Sequence, residues 1–171
     1  MKKLFVFLGV ILSLVTSSHG AEMKTYNSTG SYFNYSIDYP SDWQVGDTYG
    51  FVTISPLKNL SEDISVTVTI ADLSKKPKTL EEFNSLMFDK IIPQELSNFQ
   101  ILDKGKAVID GKESLFYVYK GNKEGKGLKY KQYSFKNNTN IYELTFEARI
   151  EDFDRYLPKV ENIIKSIKVK K

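Results

Sequence analysis

From residue 99 to residue 148 the chain repeats one pattern: a strand-like run, a tight-turn signal and a return run. Phe99 to Ile109 is a long strand-like stretch, and Asp110-Gly111 after it is a strong hairpin-turn signal. Leu115 to Tyr119 is apolar on both faces, as in a central strand covered on both sides. Gly121 to Gly127, with three glycines, reads as a loop, and Leu128 to Phe135 as the next strand. Asn137-Asn138 turns the chain again. In the return strand, Ile141 to Ala148, Tyr142, Leu144, Phe146 and Ala148 point one way and Glu143, Thr145 and Glu147 the other. A chain that folds back on itself this often forms an antiparallel sheet.

The upstream half has the same character. Tyr32 to Tyr39 reads as a strand stopped by Pro40 and Ser41, with Trp43 just after the turn. Phe51 to Ser55 is a short strand closed by Pro56, and Ile64 to Ile70 alternates cleanly. Two segments are helical instead. Thr79-Leu80-Glu81-Glu82 has the form of a capping box, in which Thr79 satisfies the Glu82 amide and Glu82 reaches back. Leu80, Phe83, Leu86, Met87 and Ile91 then share a helical face, and Pro93 is expected to end it. Phe153, Leu157, Val160, Ile164 and Ile167 repeat at spacings of three and four. Pro158 lies inside that run, so the helix either restarts near Pro158 or continues through it with a kink. Strands, helix, strands, helix predicts an α+β fold: a central antiparallel β-sheet sandwiched by helices.

The N-terminus reads as a signal for export. Lys2 and Lys3 precede an uncharged apolar run from Leu4 to Val15, then small and polar residues up to Gly20. The run is about 12 residues, short of the roughly 20 that a membrane span needs. Residues 1–20 are therefore expected to be a cleaved signal peptide and 21–31 a short N-terminal segment. Residues 32–171 are expected to be one domain, periplasmic or secreted and not membrane-spanning once processed. A retained anchor is the alternative.

Processing changes the chemistry. The full chain has 24 Lys and Arg against 21 Asp and Glu, no Cys and a single His, His19. Without residues 1–20 the count is 22 against 21, and the histidine is gone. Histidine-based triads, zinc sites built from His or Cys, and disulfides are then excluded. Carboxylate or tyrosine chemistry stays open as a lesser possibility, and no cofactor is expected. With Arg149 and Arg155 the only arginines and a near-neutral charge, nucleic acid is not an expected partner.

The stretch Tyr35-Ser-Ile-Asp-Tyr-Pro-Ser-Asp-Trp43 resembles the opening of PsbP-like domains. Val108-Ile-Asp-Gly-Lys-Glu113, the aromatic strand at Leu115 to Tyr119 and the closing helix through Ile167 follow in the family's order. The resemblance spans residues 32 to 168. It implies a central antiparallel sheet between helices, and proteins that bind or assemble rather than catalyse. Photosynthetic members carry an N-terminal segment that acts at the photosystem. Here only Ala21 to Ser31 precede the first expected strand.

Three groups of residues are candidate sites, each with a plainer reading beside it. Lys120, Lys123, Lys126, Lys129 and Lys131 could form a docking patch for an acidic partner, a protein or membrane-associated complex, or for an anionic membrane surface. The plainer reading, which is the usual role of such lysines, is a hairpin kept soluble by them or an edge strand protected against aggregation. Tyr39, Pro40 and Trp43 could line a ligand pocket, or pack the end of the sheet, which is the usual role of such a corner. Glu151, Asp152 and Asp154 could bind Ca²⁺ as oxygen ligands, although acids at a helix start also answer the helix dipole. A non-catalytic extracytoplasmic protein that binds a partner is the function expected; a domain for a small ligand or Ca²⁺ is the alternative.

Expression of the full chain in a bacterial host should yield a processed product starting near Ala21, read by N-terminal sequencing of the periplasmic fraction. A product that keeps Met1 and sediments with membranes would establish the anchor instead.

Overall fold

The computed structural model describes residues 22–28, 34–48, 51–57 and 63–170. The expected signal peptide and part of the 21–31 segment lie outside these residues. Among the described residues ten strands form two sheets. The smaller has β1 (Met23–Asn27), β2 (Tyr35–Pro40) and β10 (Lys168–Val169) in the order β1-β2-β10. The larger contains β3 (Trp43–Thr48), β4 (Phe51–Pro56), β5 (Ser65–Asp72), β6 (Ser97–Ile109), β7 (Lys112–Lys123), β8 (Lys126–Asn137) and β9 (Asn140–Arg149). Its order is β3-β4-β5-β9-β8-β7-β6, and every pairing is antiparallel. The expected α+β, mostly antiparallel architecture is therefore present. β1 is an addition: the segment expected to precede the first strand is itself a strand, with Met23 opposite Pro40.

Period-two alternation sets what each face of the large sheet touches. On one face Val52, Val68, Leu144 and Tyr133 stand in register across β4, β5, β9 and β8. They bury into the main core with Tyr35 and Ile37 of the small sheet and with Phe153, Val160, Ile163 and Ile164 of α3 (Ile150–Lys165). On the other face, Tyr119 and Tyr130 stack with ring centroids 4.8 Å apart. They pack against a second helical segment: α1 (Leu80–Leu86), a π-turn (Met87–Ile91) and α2 (Ile92–Glu95). Among the described residues no helix is long and apolar enough to cross a membrane.

The helix starts where the sequence predicts. Thr79 accepts the Glu82 amide at 3.1 Å, and Glu82 accepts the Thr79 amide at 2.8 Å. Both prolines are read differently by the structure. Pro93 does not end the segment; it falls in the first turn of α2, directly after the π-turn. The chain leaves the helix at Leu96, which is extended. Pro158 lies within an unbroken α3 rather than at a restart. An interior proline costs about 3 kcal/mol. Pro158 is on the exposed side, and each of the four buried apolar side chains of α3 contributes about 1.5–3 kcal/mol. Packing therefore outweighs the lost bond.

The hairpins are tighter than the glycine content suggests. Asp110 and Gly111 both have positive φ, 50° and 71°, as a type I′ turn requires. The expected loop from Gly121 to Gly127 is the same turn: β7 runs to Lys123, β8 begins at Lys126, and Glu124 and Gly125 have φ of 52° and 78°. Asp110 also fastens the C-terminus, accepting the Val169 amide at 3.1 Å and pairing with Lys112 and Lys168. Burial opposes its charge, but these partners prevail and hold its carboxyl below the usual carboxylate range.

Gly121 has a different role from the turn glycines. A Cβ there would lie 2.7 Å from the Leu96 Cβ and 3.2 Å from the Ser97 carbonyl oxygen. The missing side chain lets the end of α2 rest on the sheet. Gly121→Ala should cost about 1–3 kcal/mol and lower Tm by several degrees. Gly46→Ala, with nothing within 4 Å of its Cβ, should leave Tm unchanged or slightly higher. Equal melting of the two variants in calorimetry would show that the close approach does not hold α2.

Candidate binding groove between the helix and the open half of the sheet

The second face of the large sheet is only half covered. The segment from α1 to α2 lies over β7, β8 and the near side of β9, and it reaches the end of β5, where Ala71 packs against Leu80 and Phe83; Thr67 and Thr69 of β5 border the groove instead. A groove of about 440 Å³ runs along this step. Its floor is Thr67 and Thr69 of β5, Glu143, Thr145 and Glu147 of β9, and Gln132 and Tyr130 of β8. Its wall is Met87, Ile92, Glu95 and Leu96; Phe51 and Lys123 stand at the rim. Phe51 is 59% exposed.

The π-turn builds the wall. Residues five apart stand about 140° around an α-helix, facing different ways. A π-turn closes its bond over five residues and brings them onto one side. The Ile92 amide donates to the Met87 carbonyl, so Met87 and Ile92 both face the groove.

The floor is polar because β9 alternates. Tyr142, Leu144, Phe146 and Ala148 go into the main core, which sends Glu143, Thr145 and Glu147 to the groove. Glu143 is 9% exposed and heads a chain of hydrogen bonds. The Tyr119 hydroxyl donates to Gln132 Oε1 at 3.2 Å, Gln132 Nε2 donates to Glu143 Oε1 at 2.6 Å, and Thr69 Oγ1 donates to Glu143 Oε2 at 3.4 Å. Burial pushes the Glu143 carboxyl up to about 7, against the pull of the Thr69 and Gln132 bonds. Burial raises Glu147 as well, opposed by Lys123, Tyr130 and Lys126. The Tyr130 hydroxyl is buried with no partner in hydrogen-bonding geometry, and Glu147 is the carboxyl beside it. Four residues along a strand put the Glu143 and Glu147 backbones about 13 Å apart. Glu143 is tied toward Gln132 and Thr69, and Glu147 lies toward Tyr130 and Lys123, so the two acids serve different parts of the groove.

The residues singled out in the sequence lie elsewhere, apart from Lys123. The five lysines do not form one surface, because the hairpin strands alternate. Lys129 and Lys131 face α3 and pair with Asp154 at 3.0 Å and Glu161 at 2.7 Å. Lys126 pairs with Asp63 at 2.8 Å. Lys120 lies beside Asn98 and Gln100. Three of the five lysines are thus paired with carboxylates from other elements. The acids at the start of α3 do not converge either: Asp152 pairs with Arg155 and Asp154 with Lys129. Among the described residues no three His, Cys, Asp or Glu side chains are grouped to hold a metal ion.

A family model described as PsbP-like protein matches residues 10–169. The chain belongs to the PsbP-like protein family. Solved structures extend the likeness to the fold. The solution structure of cyanobacterial PsbP from Synechocystis sp. PCC 6803 superposes with a TM-score of 0.62 at 15% identity, covering 93% of this chain and 99% of that one. LpqN, involved in cell envelope biogenesis of Mycobacterium tuberculosis, gives 0.60 at 14% identity, over 87% and 92%. The Ran-binding protein Mog1p of Saccharomyces cerevisiae gives 0.59 at 9% identity, over 88% and 96%. At these identities the likeness is one of fold alone. Among curated proteins none matches the chain in sequence.

The PsbP-like Tyr-Pro-x-x-Trp stretch has a structural place here. Pro40 ends β2 in the small sheet and Trp43 begins β3 in the large one, so the corner carries the chain between sheets. Trp43 is buried in the main core, 6.3 Å from the Tyr156 ring, and Tyr39 packs against the same core. The corner is thus packing, and the groove lies on the other face of the sheet. Sequence reasoning missed Glu143 and Glu147. The signal was present as a polar half-strand, but only the strand order makes that half-strand a groove floor.

Glu143 sets a pH dependence. Its folded value of about 7 exceeds the ordinary 4.5, so between these values the unfolded chain binds fewer protons and stability falls as pH rises. The loss is on the order of 3 kcal/mol. Asp63, Asp110 and Glu161 are held low and act in the opposite sense below this window. Glu143→Gln should flatten the fall of Tm between pH 4.5 and 7 and raise Tm at the upper end, as measured by calorimetry. An unchanged slope would mean that the carboxyl ionises freely in the fold.

Proposed function

We propose that this PsbP-like protein is an exported, non-catalytic binding protein that takes a protein partner, or a partner complex of the cell envelope, along the groove beside α2. The observation that carries the reading is the half-covered face: an apolar wall, a floor of threonines and glutamates, and an exposed phenylalanine at the rim. Such a mixed surface buries apolar area while its polar groups fix orientation. Export rests on the charged, apolar and small-residue pattern of residues 1–20. The absence of histidine and cysteine after processing, and two glutamates tied to different neighbours, support binding over catalysis. Mog1p is a Ran-binding protein and LpqN is involved in envelope biogenesis. These roles belong to proteins of the same fold and make partner binding the natural first hypothesis. A small-ligand reading is favoured by the volume alone, which falls within the few hundred Å³ of ordinary ligand sites.

A photocrosslinking residue at Phe51 should capture a discrete envelope partner, and one at Val108, 69% exposed on the β6 edge, should not. Thr145→Trp, which fills the groove floor, should abolish the Phe51 adduct in the same fraction. An adduct that survives Thr145→Trp, or that forms equally from Val108, would remove the groove from the binding surface.

A further inference from the structure

The large sheet is covered at one end and open at the other. At the β3 end, Asp47 accepts the Tyr26 hydroxyl of β1 at 2.6 Å, and Trp43 is buried beside Tyr156 of α3. At the opposite end β6 pairs with β7 alone and has no strand beyond it among the described residues. The two-residue turn after β6 fixes which of its backbone groups are left over. Ile109 and Lys112 close that turn as a hydrogen-bonded pair, and Ala107 with Ser114 and Gly105 with Phe116 follow at every second residue. Lys104, Lys106 and Val108 therefore turn their N–H and C=O groups away from β7. A separate contact agrees: the Lys104 amide donates to Asp103 Oδ1 at 2.8 Å, as an amide outside the ladder would. All three residues are exposed, and Ile101, Leu102 and Val108 are large apolar side chains exposed on this same 13-residue strand. A long, exposed edge with apolar side chains is a template for another strand.

We infer that β6 is a self-pairing edge that Asp103, Lys104 and Lys106 hold shut against a second copy of this chain. Asp103 occupies the first outward amide, so an arriving strand must displace its carboxylate before it can bond there. The lysines reject the copy through register. Two identical antiparallel strands are related by a twofold axis, so every register sets one residue opposite itself. Overlaying the whole open run, Lys104 to Val108, puts Lys106 opposite Lys106. Moving the axis to Gly105 sets Lys104 opposite Lys106 twice, and moving it to Lys104 sets Lys104 opposite itself. Moving it toward the turn shortens the overlap. Like charges directly opposite each other work against pairing. Glu113 bonds Lys106 within the chain at 3.0 Å, but both side chains are more than half exposed, and such a pair is weak. The edge is independent of the groove, which lies on a face of the sheet and not at its end.

The test compares the processed chain with its triple variant Asp103→Ala, Lys104→Thr, Lys106→Thr. Threonine removes the charge and suits a strand. In sedimentation velocity the unaltered chain should run as a monomer at concentrations where the triple variant dimerises, a tightening of at least about tenfold. Adding Val108→Pro, which removes an outward donor and no bond to β7, should return the variant to a monomer. In hydrogen exchange the Lys106 and Val108 amides of the unaltered chain should exchange fast and those of Gly105 and Ala107 slowly. Protection at Lys106 and Val108 should appear only in the dimer. If the triple variant loses Tm, Lys104→Thr with Lys106→Thr takes its place with the same expected outcomes. A folded variant that stays monomeric, a dimer that survives Val108→Pro, or slow exchange at Lys106 and Val108 in the unaltered monomer would overturn the inference.

Discussion

Strand β9 is the constraint on which the rest of the molecule depends. It is flanked by β5 and β8 in the middle of the large sheet, and its two faces serve opposite ends. Tyr142, Leu144, Phe146 and Ala148 enter the main core, where Phe146 stacks on Phe153 of α3 at 4.8 Å. The residues between them form the groove floor. A slip of one residue in register would drive Glu143, Thr145 and Glu147 into that core. Burying even one of these unpaired would cost more than a typical core side chain contributes. The register of β9 therefore fixes the position of α3 and the polarity of the groove together.

The groove depends on a second device, the way the helical segment from Leu80 to Glu95 lies on the sheet. Its first turn is bound from below: Ser134 donates to Asn84 at 2.9 Å, and Asn84 donates back to the Leu80 carbonyl. Its last turn rests on Gly121. Between these fixed points the π-turn absorbs an extra residue and aims Met87 and Ile92 at the same wall. A regular α-helix of the same length would turn one of them away. The departure from α-geometry thus coincides with the site, where such π-turns are often found.

Much of this architecture is legible in the sequence, and what is not has a physical cause. The alternation of Ile64 to Ile70 and Ile141 to Ala148, the Thr79 capping box and the Asp110-Gly111 turn are local signals whose geometry is decided within a few residues. The two prolines mislead because their effect is not local. Pro158 is carried by the burial of Phe153 and Val160, and Pro93 by a π-turn that no pattern of apolar residues announces. The Gly121 to Gly127 segment looks like a loop because glycine is frequent there, yet Gly121 is required by a neighbour, Leu96, far from it in sequence. The lysine cluster divides between the two faces of the hairpin, and three of its members meet counter-charges that its own sequence does not show. Its counter-charges Asp63, Asp154 and Glu161 come from distant elements.

The uneven cover of the second face explains why a buried carboxyl is tolerated at Glu143. A strand roofed by the helix along its whole length would favour an apolar side chain there, as at Ile141 under Leu80 and Phe83. Glu143 lies where the roof ends, with Gln132 on the covered side and Thr69 on the open side. Burial there favours its neutral form, and neutralisation lowers the cost of keeping it. Further along, at Glu147, burial still raises the carboxyl, but Lys123 and Lys126 act against it. Along this one strand the environment passes from an apolar roof at Ile141 to a buried carboxyl at Glu143 and a half-buried one at Glu147. That gradient makes the floor of the groove polar where the roof stops, while Met87, Ile92 and Leu96 keep its wall apolar.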